Sequence, residues 1–174
     1  MKYVYEFTNQ RKLTKSEFLR WFQKKFLYTI RKFEMVKKGD TLGYKKTNDF
    51  RGVVLSDLLK MYSEKAPVEV VKLPSKKTNK IVSPETATSE SLKIIQDLFK
   101  GKLDNKKYFP IQGKTIKPLY LFLDKEVLLY AKLKGLKFSK PKEEKSEIFK
   151  LIKDLETKHP EIEHGIVNSY LSLK

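Results

Sequence analysis

The 174-residue chain contains no cysteine, and that one absence removes disulfides, thiolate zinc sites, iron–sulfur ligation and cysteine nucleophiles together. Histidine is nearly as scarce: His159 and His164 stand five apart around Pro160 with no third ligand near, a pattern that reads as structural and not as metal-binding. No internal repeat, low-complexity tract or Gly/Ser linker divides the chain. No run approaches the roughly 18 apolar residues of a membrane span. The opening MKYVYEFTNQRK turns polar before a signal-peptide core could develop, so a soluble, cytoplasmic protein away from membranes is expected. Acid is short as well. Against 38 Lys and Arg there are 21 Asp and Glu, a net charge of +17, and a surplus of that size points to an anionic partner. The 40% hydrophobic content suffices for one core, and a single domain over 1–174 is expected.

Thr14-Lys-Ser-Glu17 is a capping box, and the helix it opens carries Phe18, Trp21, Phe22, Phe26, Ile30 and Phe33 on one apolar stripe. Arg20, Lys24 and Arg31 share another face, open equally to solvent and to phosphate contact. After the Gly39-Asp40 break, Thr41 to Lys46 reads as a strand, Gly52 to Tyr62 as a helix, Val68 to Leu73 as a buried strand and Lys80 to Ser83 as a third strand. A helix opening at Ser83-Pro84 or Thr88-Ser89 then carries Leu92, Ile95, Leu98 and Phe99. This alternation predicts an α/β domain with a small, mainly parallel sheet flanked by helices. Gly101 to Lys117 reads as an exposed lysine-rich loop, Lys125 to Lys134 as a helix capped by Asp124 and stopped at Gly135, Glu143 to Lys158 as a long helix, and Ile166 to Leu173 as a closing one. Glu126 is a carboxylate suited to capping or pairing at a helix start.

Four stretches, taken in order, resemble the tRNA 2-thiolation enzymes of archaea and eukaryotes within the PP-loop ATP pyrophosphatase family. They are LTKSEFLRWFQKKFLYTIRKFEMVKKGD (Leu13 to Asp40), IVSPETATSESLKIIQDLFKG (Ile81 to Gly101), IKPLYLFLDKEVLLYAKLKGLKF (Ile116 to Phe138) and FKLIKDLETKHPEIEHGIVNSYLSL (Phe149 to Leu173). The third is similar to the family's I-K/R-P-L and K-E-V/I signature, and the fourth to its C-terminal L-E, H/Y-P and S-Y pattern. The resemblance implies a shortened PP-loop, adenine nucleotide alpha-hydrolase-like fold: a leading helix over 13–40, a core over 41–115 and a helical part over 116–174.

The family's chemistry is missing from that frame. Its S-G-G-x-D-S phosphate loop falls on Thr47-Asn48-Asp49-Phe50-Arg51-Gly52, where both glycines are lost, a carboxylate stands where phosphate should lie and Phe50 adds bulk. Its G-H-N-x-D-D segment falls on Pro84 to Ser89, without the acidic pair. Only about twenty residues separate Tyr62 from the second stretch, too few for the strand-helix-strand portion that the family places there. The pattern resembles the non-catalytic subunit of the cytoplasmic tRNA 2-thiolation complex. It implies no catalytic residue, cofactor or metal, and a heteromer with an active, Cys-containing paralogue on tRNA.

The lysine-rich stretches are the candidate RNA contacts. These are Lys100, Lys102, Lys106, Lys107, Lys114 and Lys117, with Lys132, Lys134, Lys137, Lys140 and Lys142, and the Arg20, Lys24 and Arg31 face as the next choice. Two other readings remain open from the residues: a stand-alone basic RNA-binding module, and an ATP-dependent RNA-modifying enzyme with an altered loop.

Overall fold

Thr14 fixes the start of the first helix. Its hydroxyl accepts the Glu17 amide while the Glu17 carboxylate accepts the Thr14 amide at 2.8 Å, so two orphan donors are satisfied reciprocally. A computed structural model describes residues 2–173 of the protein, and helix α1 spans Lys15–Lys32. Phe18, Phe22 and Phe26 on its stripe are fully buried, a contribution of roughly 1.5–3 kcal/mol each. The residues before it form a hairpin, β1 (Tyr3–Glu6) with β2 (Lys12–Thr14), which no turn signal announces. Tyr5 and Phe7 lay their rings against Trp21 at 5.7 and 5.1 Å, which fastens the hairpin to α1.

Five further strands make one sheet: β3 (Thr41–Tyr44), β4 (Glu69–Lys72), β5 (Lys80–Val82), β6 (Ile111–Gln112) and β7 (Thr115–Ile116), in the order β4-β3-β5-β7-β6. Neighbours from β4 to β7 are parallel, and β6 runs antiparallel on the edge. Helices α2 (Phe50–Lys65), α3 (Ala87–Phe99), α4 (Asp124–Leu133), α5 (Glu147–Lys158) and α6 (Ile162–Leu171) complete the fold, which is α/β with a mainly parallel sheet flanked by helices. Leu42, Tyr44, Val82 and Ile116 enter one core with α1, α2 and α4 residues such as Phe22, Leu58 and Val127. A second cluster joins Ile94 of α3 and Val167 and Tyr170 of α6 to Tyr108 and Tyr120.

The connection between β4 and β5 is short. These strands flank β3 on opposite sides, a crossover for which parallel sheets ordinarily use a dozen or more residues and a helix. Here Leu73 to Asn79 suffices, because the segment lies flat on the sheet. A Cβ on Gly43 would come within 2.5 Å of Thr78 and 2.7 Å of Leu73, so glycine is what lets the strap touch the strand. Its ends are bonded down: the Leu73 amide donates to the Tyr44 carbonyl at 2.9 Å, and the Asn79 side chain accepts from the Thr41 amide at 2.8 Å while donating to Asp40 at 2.9 Å.

Several boundaries move from the sequence reading. Strand β3 stops at Tyr44, β4 covers Glu69–Lys72 and β5 ends at Val82. Helix α2 starts at Phe50, because Asp49 caps it, so Phe50, Arg51 and Gly52 are helical and not loop. Thr86 caps α3, which starts at Ala87, and Asp124 is the first residue of α4 where a cap was expected. Helix α5 begins only at Glu147, after its Ser146 cap, and α6 occupies Ile162–Leu171. The lysine-rich Gly101 to Lys117 segment contains β6 and β7 and buries Tyr108 and Lys117, so it is a sheet edge as much as a loop. Among the described residues no helix is long and apolar enough to cross a membrane.

Candidate functional site

The C-terminal ends of β3, β5 and β7 lead to the first turns of α2, α3 and α4, where the stretches compared with the phosphate loop and the acidic segment meet. Asp49 sets the local structure. Its carboxylate accepts the amides of Arg51 and Gly52, each at 3.1 Å, and so takes the donors that a bound anion at this helix start would use. Burial alone would raise the Asp49 carboxyl; hydrogen bonds, those two amides among them, outweigh it and hold the group below its ordinary range. Gly52 keeps the turn tight, since a Cβ there would sit 1.8 Å from the Thr47 hydroxyl oxygen. The donor set fits a triphosphate poorly, because a second anion would meet the Asp49 charge and find the Arg51 and Gly52 amides already taken. Nor can the chain supply thiolates to an iron–sulfur cluster.

Arg51 closes the site from the other side. Its guanidinium forms a bidentate pair with Asp124, with Nε donating at 2.8 Å, and Asp124 also accepts from the Thr86 hydroxyl at 2.7 Å. Burial would lower the Arg51 pKa, and the Asp124 bonds and charge more than offset this and leave it raised. The Thr88 hydroxyl takes the Asp124 amide at 2.9 Å and donates to buried Glu163, which Lys153 reaches at 3.1 Å. Residues from α2, α3, α4, α5 and α6 are thus knit into one polar chain beneath a cavity of about 960 Å³ that Phe50, Arg51, Thr88, Asp124, Lys142 and Phe149 help to line.

Glu126 is held as a cap. One oxygen accepts Tyr5 hydroxyl at 2.9 Å; the other accepts Lys25 at 2.9 Å and the Leu123 amide at 3.0 Å, so the carboxylate binds the hairpin, α1 and α4 together. His164 is structural too, with one ring nitrogen 2.9 Å from the Leu121 carbonyl oxygen and the other 3.3 Å from Glu161. Among the described residues no group of three His, Cys, Asp or Glu is placed to hold a metal ion.

The candidate RNA contacts divide three ways. Arg20, Lys24 and Arg31 are exposed on α1, and Lys100, Lys102, Lys106 and Lys114 are exposed around the end of α3 and the β6–β7 turn. Lys107 is exposed but bound to Asp97 at 2.9 Å, which raises its pKa. Lys117 departs from the sequence reading altogether: it is 4% exposed, and its ammonium sits 2.9 Å from fully buried Glu90, so it serves the interior. Lys132, Lys134, Lys137, Lys140 and Lys142 are exposed along the end of α4 and the segment after it. That segment crosses the capped loop, where the Ser139 amide and hydroxyl both donate to the Asn48 carbonyl, at 2.7 and 3.1 Å.

Beside this crossing lies a groove of about 560 Å³ that sequence reasoning missed. Lys46 after β3, Lys60 of α2, Lys72 of β4 and Lys137 line it. Lys137 is one of the lysines named from the sequence, whereas Lys46, Lys60 and Lys72 lie in separate stretches, and only the topology gathers the four.

No protein-family model matches the chain, and no curated protein does. Among solved structures it is similar to the U34-tRNA thiolase NcsA from Methanococcus maripaludis, described with its [4Fe-4S] cluster, at a TM-score of 0.81 and 15% identity over 98% of this chain and 84% of that one. The likeness establishes a shared PP-loop-like fold.

Proposed function

We propose that this protein is a non-catalytic partner in the 2-thiolation of wobble uridine in tRNA, docking on an active Cys-containing thiolase and helping to hold the tRNA. The observation that carries the reading is a contrast. The chain follows the fold of a U34-tRNA thiolase through nearly its whole length, yet it has no thiolate for a cluster like the one that neighbour holds, and its phosphate-loop position is filled by the protein's own Asp49 cap and Arg51–Asp124 pair. The charge of +17 suits the tRNA half of the role. A stand-alone RNA-binding module would use the same charge without the partner, and the test separates the two. Deletion of the gene is expected to lower 2-thiouridine at the wobble position, measured by mass spectrometry of digested tRNA, and a pull-down of the tagged protein is expected to recover a Cys-containing thiolase. Normal thiolation in the deletion strain with no thiolase recovered would leave the stand-alone module. Thiolation by the purified chain alone would overturn the non-catalytic reading.

A further inference from the structure

The groove of Lys46, Lys60, Lys72 and Lys137 gathers its charge on a concave wall, from four separate segments. All four lysines are exposed, and none is paired with a carboxylate among the described residues. The one carboxylate in the lining, Asp57, is already engaged: it accepts the Tyr130 hydroxyl at 2.8 Å and lies 3.7 Å from Lys134. In the Gly101 to Lys117 segment Lys107 and Lys117 are neutralised by Asp97 and Glu90, and Lys102, Lys106 and Lys114, unpaired as well, do not line this groove. Four uncompensated ammonium groups around a concave, partly apolar wall concentrate positive potential there and repel one another until an anion arrives. The Ser139 bonds to Asn48 hold the fourth wall in place, so the groove does not depend on a free segment closing over it.

We infer that this groove is where the protein grips the phosphate backbone of RNA, an inference that rests on the RNA half of the proposed function. The residue type fits the task. Lysines are point charges on flexible stems, suited to following successive phosphates, whereas a site for one small anion would use converging amides or a guanidinium fork. The groove is open and its lysines come from four separate segments, so its occupant is extended.

The test compares two variants of equal charge in the full chain. One carries Lys→Gln at 46, 60, 72 and 137, and the other at 100, 102, 106 and 114. Affinity for unfractionated tRNA is measured against potassium chloride concentration. Each backbone contact contributes about 0.8 to the log-log slope, so the groove variant is expected to flatten it by about 3 and to lose up to ~10³-fold in affinity at 0.1 M salt. The second variant is expected to stay close to the unaltered protein. Equal losses in both would show a bulk-charge effect and overturn the groove. So would an unchanged slope in the groove variant, which leaves the RNA role itself standing; no binding of tRNA by the unaltered chain would remove that role too. Acetic anhydride labelling of the unaltered protein supplies a readout independent of variant folding: tRNA is expected to protect Lys46, Lys60, Lys72 and Lys137 more than Lys100 and Lys102, and the reverse overturns the assignment. Polyglutamate that protects the groove as well as tRNA at equal charge would identify an acidic protein site and overturn the choice of RNA.

Discussion

Removing Lys117 should cost the protein stability and leave RNA binding untouched, opposite to what its place in a lysine-rich segment suggests. The side chain follows β7 inward, and its ammonium meets Glu90 at 2.9 Å, with both side chains almost wholly enclosed. Taking one partner from a buried pair costs about 3–5 kcal/mol, because the other charge is left in a poorly solvated place. Lys93 also reaches Glu90, at 3.2 Å, and its side chain is 44% exposed, so it compensates part of the loss and favours the low end. For Lys117→Met we expect a loss of about 3 kcal/mol, or roughly 6–12 °C in Tm at the ~2–4 °C per kcal/mol usual for a domain of this size. The combined Lys117→Met and Glu90→Leu change removes both charges and should recover to within about 1 kcal/mol of the unaltered protein, since apolar pairs often replace buried ion pairs at little cost. Urea unfolding followed by far-ultraviolet circular dichroism measures all three. If Lys117→Met left stability within about 1 kcal/mol and lowered the tRNA salt slope by about 0.8, Lys117 would be a surface phosphate contact and the burial argument would fail.

Gly52→Ala should destabilise by about 1–3 kcal/mol through overpacking against the Thr47 hydroxyl, and Thr47→Gly in the same chain should relieve most of it; equal destabilisation with and without Thr47 would refute the contact. The Asp49 carboxyl is held below its ordinary value in the folded state, so its stabilisation is present above the usual Asp range and is lost as pH falls through that range towards the lower folded value. Asp49→Asn can still cap α2 but cannot titrate, so its urea midpoint should fall less between about pH 6 and pH 3 than that of the unaltered protein; parallel curves would refute the assignment. Calorimetry with ATP and magnesium should give no saturable heat, and micromolar binding abolished by Arg51→Ala would reopen the loop as a nucleotide site.

What could be read from the sequence was what the chain decides locally. The cap and stripe of α1 are both set by near neighbours in the chain: the cap forms as expected and Phe18, Phe22, Phe26 and Ile30 are buried, while Trp21 is half-buried and the helix ends one residue before half-buried Phe33. The strands β3, β4 and β5 each carry enough apolar sequence to be recognised, with errors of one or two residues at their ends, but β4, expected to be buried, is an edge strand with no buried residue. Strands β6 and β7 are two residues each and pair along the β5 edge, so the Gly113-Lys114 turn, with Gly113 at φ 54°, is the main local sign of them. Lys117 carries no sign of burial either, since its partner lies 27 residues away on another element. Asp49 was legible in principle: an Asp directly before a helical run is a capping residue, but comparison with a phosphate loop draws attention to its charge and not to its two amide bonds.

The stretches that carry the family resemblance are the ones that hold the framework. Thr14 and Glu17 close the start of α1; Glu126, inside DKEV, bonds three elements; Glu163, beside the HP turn, receives Thr88 and Lys153; and the Tyr170 hydroxyl accepts the Tyr108 amide at 3.0 Å while donating to the Asp104 carbonyl. Each of these polar groups is placed so that its loss would leave a partner unsatisfied. The strap from Leu73 to Asn79 extends the same logic: Gly43 and Asn79 let seven residues join β4 to β5 across β3, and the sheet keeps its parallel order. The loop after β3 belongs to the same framework, since Asp49 holds the Arg51 and Gly52 amides as the cap of α2. The fold shared with the thiolase and the net charge of +17 are the two properties that the proposed role on tRNA uses.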